Sequence, residues 1–482
     1  MTSETTTAPA SLDTAGLYGP DSMLRRLCHE ARWGLAVARA TVLEAAHPQI
    51  GAALIANSTF VAHPWRRLRN TVLSAQRLVD PDERVRRREA ARLNRLHARM
   101  AGTDAEGRPY TALDPGARAW VVATLFESTV TMYRLGGRSL DGASLDRLYA
   151  EFRLFLAHME GGEGELPPTL REFWRYYDLM VEERLENTEA AALILHRLFA
   201  EVPAPPVLRD RPAVWAAGRA LAAPLATAVT VGSLPAPLRE RLGLAEIPGA
   251  RTLTHAAYLS TGLASRLLPD AWTRLETVMA MFDPTFTPRP GTDPFAGLRR
   301  GTAKAGALLR LLTPDRETAA EAPPSAVRFF AEVLDQTGNG YLDWPDLAAM
   351  AREIATRLDL DERGEDRLFT AFADWWRELQ AALDTDHDGR ISGHEYAAAA
   401  ATMTSPALVR VAEVLFDATD TDDDQAIDAE EHRTLFRVAF EHDPGDTGTP
   451  DRLTRAAFVR EFLNFMAGRH HSEGYDRLFA QA

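Results

Sequence analysis

From Ser22 to Phe282 apolar residues recur at spacings of three and four, in segments rich in alanine, leucine and arginine, without sustained alternation of period two. The pattern predicts an all-α domain over residues 22–282, preceded by a polar tail, 1–21. Pro64, Pro115, Pro168 and Pro212 stand where helices begin, because the first turn does not need the N–H that proline lacks. AWVVATLF, Ala119–Phe126, is apolar on every side, which predicts a central helix buried all round. Residues 220–238 carry no charge, but prolines and a glycine interrupt them; a buried helix and turn is expected there rather than a membrane span.

The pattern breaks at DPTFTPRPGTDP, Asp283–Pro294, and again at TPDRETAAEAPPS, 313–325. Residues 283–325 therefore read as proline-rich linkers around a basic amphipathic helix, 295–312, carrying Arg299, Arg300, Lys304 and Arg310. An acidic helical domain is expected over 326–482. A chain of 482 residues exceeds one hydrophobic core, in keeping with two domains.

Within the acidic domain, DTDHDGRISGHE has the spacing of an EF-hand calcium loop, with ligands at positions 1, 3, 5, 7, 9 and 12. Asp384, Asp386, Asp388, the Arg390 carbonyl, Ser392 and Glu395 fill those positions, and Gly389 makes the turn. A second loop, DTDDDQAIDAEE, offers Asp420, Asp422, Asp424, the Ala426 carbonyl, Asp428 and Glu431. There Gln425 replaces the glycine, at a modest cost in affinity. An earlier loop, DQTGNGYLDWPD, offers Asp335, Thr337, Asn339, the Tyr341 carbonyl, Asp343 and Asp346. Its last carboxylate is one methylene short, so weak calcium binding or a lean toward magnesium is expected. Leu342 and Ile391 at position 8 should pair the first two loops. LTRAAF, Leu453–Phe458, reads as a vestigial fourth unit that packs without binding.

Charge sharpens this division. Of a net −14, residues 381–431 hold 13 acids against two arginines, whereas residues 63–100 hold eleven arginines, a candidate partner for a propionate, phosphate or carboxylate. No basic domain with interleaved aromatics is present, and the acidic half would repel phosphates, so nucleic acid is excluded as a partner. Lys304 is the only lysine and Cys28 the only cysteine, which excludes intrachain disulfides, thiolate zinc sites and iron–sulfur clusters. The N-terminus lacks the basic and apolar regions of a signal peptide, and a cytoplasmic compartment is the expectation.

The helical domain has no P-loop, dinucleotide fingerprint, HExxH or serine-triad order. It offers histidine and arginine on helices. His97 shares a stripe with Ala90, Leu93 and Met100 and points inward, either as a satisfied core residue or as an axial haem ligand. Arg67, Thr71 and Ser74 share a face, and His47 and Pro48 close the preceding helix; together they could surround a planar anionic cofactor or form a polar core cluster. Glu44 and Glu127 are the candidate bases.

The runs HPQIGAALIANSTFVAHPWRRLRNT (His47–Thr71), RLNRLHARMAG (Arg92–Gly102), GRPYTALDPGARAWVVATLFES (Gly107–Ser128) and LPPTLREFWRYY (Leu166–Tyr177) resemble the MpaB-type oxygenase family, which includes the latex-clearing proteins. The resemblance implies an all-helical domain that carries haem b and uses dioxygen to cleave carbon–carbon double bonds of small apolar isoprenoid substrates. It further implies His97 as axial ligand, with Arg67 and Thr71 beside the haem. Two departures stand out: Asn70 replaces a lysine of latex-clearing relatives, and Val122 replaces the histidine of a WVHAT-type motif. Residues 326–482, with FADWW at Phe372–Trp376 ahead of a calcium loop, resemble calerythrin-like and sarcoplasmic calcium-binding proteins.

Three readings follow. The first is a haem-dependent oxygenase regulated by calcium, with helix 295–312 docking on the calcium domain. The second is a non-enzymatic calcium sensor or buffer whose helical domain is a scaffold. The third adds peripheral membrane contact through the arginine-rich helices.

Overall fold

The computed structural model describes residues 18–57, 63–104, 106–160, 166–208, 211–244, 249–283, 286, 329–399, 405–439 and 452–466. Helix 295–312 and nearly all of the tail and linkers lie outside the described residues. The fold is all-α, with short two-stranded pairings. It divides into two compact units, Met1–Ile55 with Trp65–Leu312, and Ala56–Pro64 with Thr313–Ala482.

The first unit begins with α1 (Met23–Leu27), α2 (Trp33–Ala45), α3 (Pro48–Asn57), α4 (Pro64–Leu78) and α5 (Glu83–Ala98). A hairpin follows, β1 (Ala101–Thr103) and β2 (Pro109–Thr111), then α6 (Pro115–Leu135), α7 (Gly142–Glu160) and α8 (Leu170–Leu179), which ends in a π-helical turn, Met180–Arg184. Next come α9 (Glu189–Leu193), α10 (Pro212–Ser233), α11 (Ala236–Arg241), α12 (Ala250–Leu267), α13 (Asp270–Thr273) and α14 (Leu275–Met279). Pro64, Pro115 and Pro212 each open a helix, while Pro168 stands two residues before α8, which Thr169 caps by accepting from the Glu172 N–H at 3.3 Å.

AWVVATLF lies in α6 and is the centre of the unit: Trp120 and Phe126 are fully buried. Phe126 packs among the rings of Tyr149, Phe152 and Phe173 at centroid distances of 4.9, 5.6 and 4.9 Å. Antiparallel to it runs α2, joined by polar rungs. Trp33 Nε1 donates to Thr129 Oγ1 at 3.0 Å, Arg39 pairs with Glu127, and Trp120 Nε1 donates to the Leu43 carbonyl at 3.1 Å. A fourth rung, Thr124 Oγ1 to Glu44 Oε1 at 3.2 Å, closes the ladder.

The uncharged stretch forms the second half of α10 and the following turn, but it is not a buried helix. Burial is confined to the end that reaches the α2–α6 ladder, where the Ser233 carbonyl accepts from Arg39 Nε at 2.8 Å. Further from that anchor Leu221 is 77% exposed and Leu225 54%. By length and composition α10 and the segment Glu189–Leu208 could each cross a membrane.

The second unit consists of helix–loop–helix segments: a π-helical turn (Phe330–Leu334), β3 (Tyr341–Leu342), α15 (Trp344–Arg357), α16 (Glu362–Leu383), β4 (Ile391–Ser392) and α17 (Gly393–Ala399). Then follow α18 (Pro406–Thr419), β5 (Ala426–Asp428), α19 (Ala429–Ala439), β6 (Arg452–Thr454) and α20 (Arg455–Met466). Leu342 pairs with Ile391, and Ile427 with Leu453, so the short strand of LTRAAF completes the third loop's ladder. All four side chains enter one core with Phe372 and Trp375 of FADWW.

Candidate functional site

In the first unit the ladder delivers a carboxyl group to α4. Glu44 sits at the end of α2, bonded to Thr124 of α6. Burial pushes its pKa up to about 7, against the opposing pull of the Thr124 hydroxyl and the Arg67 charge. Arg67 lies deep among surrounding atoms, where desolvation lowers its pKa and Glu44 opposes that shift, yet its side chain remains solvent-accessible. Thr71 stands one turn along α4, also exposed, with its hydroxyl donating to the Arg67 carbonyl at 2.9 Å.

His47 follows three residues after Glu44, in the turn between α2 and α3. Its buried Nδ1 has no hydrogen-bond partner, and burial lowers its pKa, opposed by Asp114 and Glu186, so the ring is neutral near pH 7. His97 is half-buried in the last turn of α5, on the stripe with buried Ala90 and Met100 and with Leu93, which packs on Leu78 and Met159. The structure thus joins Arg67 to Glu44, with Thr71 and His47 close to them in the chain. Thr124, the third member of the cluster, was not among the expected residues, although it stands in WVVAT.

Glu127 is not a free base. Arg39 binds both its oxygens, Tyr177 Oη donates to Oε2 at 3.0 Å and Thr131 Oγ1 to Oε1 at 2.8 Å, so its lone pairs are committed. Nor do the arginines of residues 63–100 form one patch. Arg69 pairs with Asp283 at 3.1 Å, Arg92 with Glu89, and Arg86 stacks on the Tyr18 ring at 3.9 Å.

In the second unit three loops repeat one hydrogen-bond scheme. Position 1 accepts from the N–H groups of positions 5 and 6: Asp384 from Asp388 and Gly389 at 3.1 Å each, Asp420 from Asp424 and Gln425 at 3.0 Å each. Asp335 does the same for Asn339 at 3.0 Å and Gly340 at 2.8 Å. Position 12 accepts from positions 2 and 9, as Glu395 does from Thr385 at 2.9 Å and Ser392 at 2.8 Å. Glu431 accepts from Thr421 at 2.7 Å and Asp428 at 3.1 Å, whereas the shorter Asp346 accepts from position 3, Thr337, and from Asp343 at 2.8 Å each. Asp346, though a methylene shorter, still closes its loop.

These bonds leave lone pairs facing inward. Single oxygens of Asp384, Asp386 and Asp388 lie within 4.8 Å of one another, as do those of Asp420, Asp422 and Glu431, spacing that a divalent cation can bridge. In the first loop Thr337 Oγ1 and Asp343 Oδ1 are buried without a hydrogen-bond partner. Asp346 there is pushed up to about 8, by burial first and by Asp343 second. Arg390, Ala426 and Tyr341 stand at position 7 of the three loops; Asn339 Oδ1 accepts from the Tyr341 N–H at 2.8 Å, Ser392 Oγ donates to Glu395 at 2.9 Å, and Asp428 Oδ1 accepts from the Glu431 N–H at 2.8 Å.

No curated protein matches the chain. Among solved structures it is similar to the calcium-loaded apo form of coelenterazine-binding protein from Renilla muelleri, at 20% identity and a TM-score of 0.24, covering 32% of this chain and 92% of that one. A family model matches residues 25–267, the helices that carry Glu44, Arg67, His97 and Thr124. That model describes the catalytic domain of ER-bound oxygenase mpaB/B' and rubber oxygenase, and the chain belongs to this oxygenase family.

Proposed function

We propose that the first unit is a haem-dependent oxygenase acting on an apolar substrate of isoprenoid or polyketide type, and that the second is an EF-hand domain through which calcium regulates it. The observation that carries the enzymatic reading is the Glu44 carboxyl group, poised near neutrality by burial beside Thr124 and Arg67 within the family's catalytic domain. A carboxyl group with a pKa near the working pH both accepts and returns a proton efficiently. Arg67, exposed on α4, supplies fixed positive charge for an anionic oxygen or a propionate.

The donor set fits haem b. His97, half-buried on α5, would hold the iron, and the neutral His47 ring with its unpartnered Nδ1 is a second imidazole able to do so. Haem, when bound, supplies dioxygen activation. The chain's own share is to hold the ligand imidazole and to move a proton at the Glu44 carboxylate. Calcium binding is supported by the repeated loop scheme and by the close carboxylate oxygens of the second and third loops.

Purification with haem supplementation and an absorption spectrum test the reading. A Soret band that shifts or disappears in His97→Ala is expected. A protein that takes up no haem, or whose band is indifferent to both His97→Ala and His47→Ala, would leave the scaffold alternative.

A further inference from the structure

A cleft of about 1130 Å³ opens in the first unit between the α1–α2 corner, the C-terminal half of α4 and the end of α12 with α13. It lies across α4 from the face that bears Arg67 and Thr71. At about 100° per residue, Arg67, Thr71 and Ser74 share one face of that helix, whereas Leu73 and Gln76, which line the cleft, lie roughly opposite.

Five arginines line the cleft, Arg25, Arg26, Arg32, Arg77 and Arg274, against three acids, Glu30, Asp80 and Asp270. Some of these charges are already engaged. Arg32 binds Glu30 at 2.5 Å and covers the Tyr133 ring at 4.9 Å, and Arg77 faces Glu89 at 3.6 Å. Asp80 accepts from the Asp82 N–H at 2.8 Å. Arg26 donates only through Nε, to the Ser22 carbonyl at 3.4 Å, and among the described residues the guanidinium groups of Arg25 and Arg274 have no hydrogen bond or ion pair.

The floor is pinned, so these arginines do not simply collapse onto it. Gln76 Nε2 donates to Glu276 Oε1 at 2.8 Å and to the Cys28 carbonyl at 3.2 Å, and Glu276 also holds His29. The remaining wall is apolar and open: Leu73 is 36% exposed, Trp272 43% and Leu268 45%. Free guanidinium forks on one side match multiply charged phosphate oxygens. An open aliphatic and indole wall on the other side matches a hydrocarbon chain.

We propose that this cleft binds a phosphate- or diphosphate-bearing amphiphile, with its head on Arg25, Arg26 and Arg274 and its chain along Leu73, Leu268 and Trp272. The site is independent of haem and of the oxygenase reading. The same chemistry comes from a soluble prenyl-type phosphate or from an anionic lipid in a bilayer.

Calorimetry on the full chain with monomeric dodecyl phosphate and with inorganic pyrophosphate tests the site, alongside co-sedimentation with phosphatidylcholine vesicles with and without phosphatidic acid. Binding of dodecyl phosphate is expected, weakened at least about tenfold in Arg25→Gln/Arg274→Gln, since each charge-assisted bond to phosphate is worth that order. Trp272→Ala should weaken dodecyl phosphate and leave pyrophosphate unchanged. Sedimentation that needs both phosphatidic acid and the two arginines assigns the ligand to a bilayer; binding of the monomer without sedimentation assigns it to solution. If neither ligand nor vesicle binds, or if binding is indifferent to the arginine pair while circular dichroism shows the variant folded, the proposal is wrong.

Discussion

Glu44 makes the stability of the first unit depend on pH in a direction opposite to that of a salt-bridged carboxylate. Its folded-state pKa, about 7, stands above the ordinary glutamate value of 4.5, so the native state binds the extra proton between those values. Stability attributable to this group is therefore full below pH 4.5, falls as pH rises, and levels off above pH 7. The difference between 4.5 and 7 corresponds to about 3 kcal/mol, most of which is lost between about pH 5 and pH 8. Glu44→Gln keeps the shape and an acceptor for Thr124 Oγ1 but cannot ionise. Urea unfolding of both proteins across that range, following the first unit's transition, should show wild type losing roughly 2–3 kcal/mol relative to the variant as pH rises. A wild-type-minus-variant difference that is flat with pH, or that grows in favour of wild type, refutes the argument that burial dominates at Glu44.

Two further predictions concern groups whose environments are fixed by the fold. Arg39→Ala leaves Glu127 buried with its main partner gone, and should destabilise the first unit by about 3–5 kcal/mol in the same unfolding assay; a loss under about 1 kcal/mol would mean the pair relaxes into solvent. Gln425 holds φ of 66° where Gly389 and Gly340 hold 84° and 83° in their loops. Gln425→Gly should relieve about 1 kcal/mol of left-handed strain and tighten calcium binding at the third loop about fivefold by calorimetry. Unchanged or weaker binding there would show that the strain is not felt in the bound loop.

Much of the fold was legible because it is written in local spacing. The loop at Asp384 needs only positions 1, 3, 5, 6 and 12, and the pairing of Leu342 with Ile391 follows from the shared position 8. AWVVATLF announced its own burial by having no polar side. What remained hidden depends on residues far apart in the chain. The carboxyl of Glu44 meets the hydroxyl of Thr124 across 80 residues, and no local pattern marks that meeting. The exposure of Leu221 was hidden for the complementary reason: hydropathy describes what a segment would prefer, while the contacts at α10's two ends, Trp215 to the Val202 carbonyl and the Ser233 carbonyl to Arg39, decide where it lies.

The contrast between Glu44 and Glu127 shows why the sequence could not choose between them as bases. Both are glutamates on the same antiparallel pair of helices, α2 and α6, and each meets a rung of the same ladder. At the rung where α2 supplies Arg39, the carboxylate gains a fork of donors plus Tyr177 and Thr131, and its lone pairs are committed. One turn away along α6, Thr124 offers Glu44 a single hydroxyl, and the nearest cation, Arg67, comes from α4. The ladder therefore separates a structural carboxylate from a titrating one by a single helical turn. It aims the titrating one at the surface where Arg67 and Thr71 are exposed.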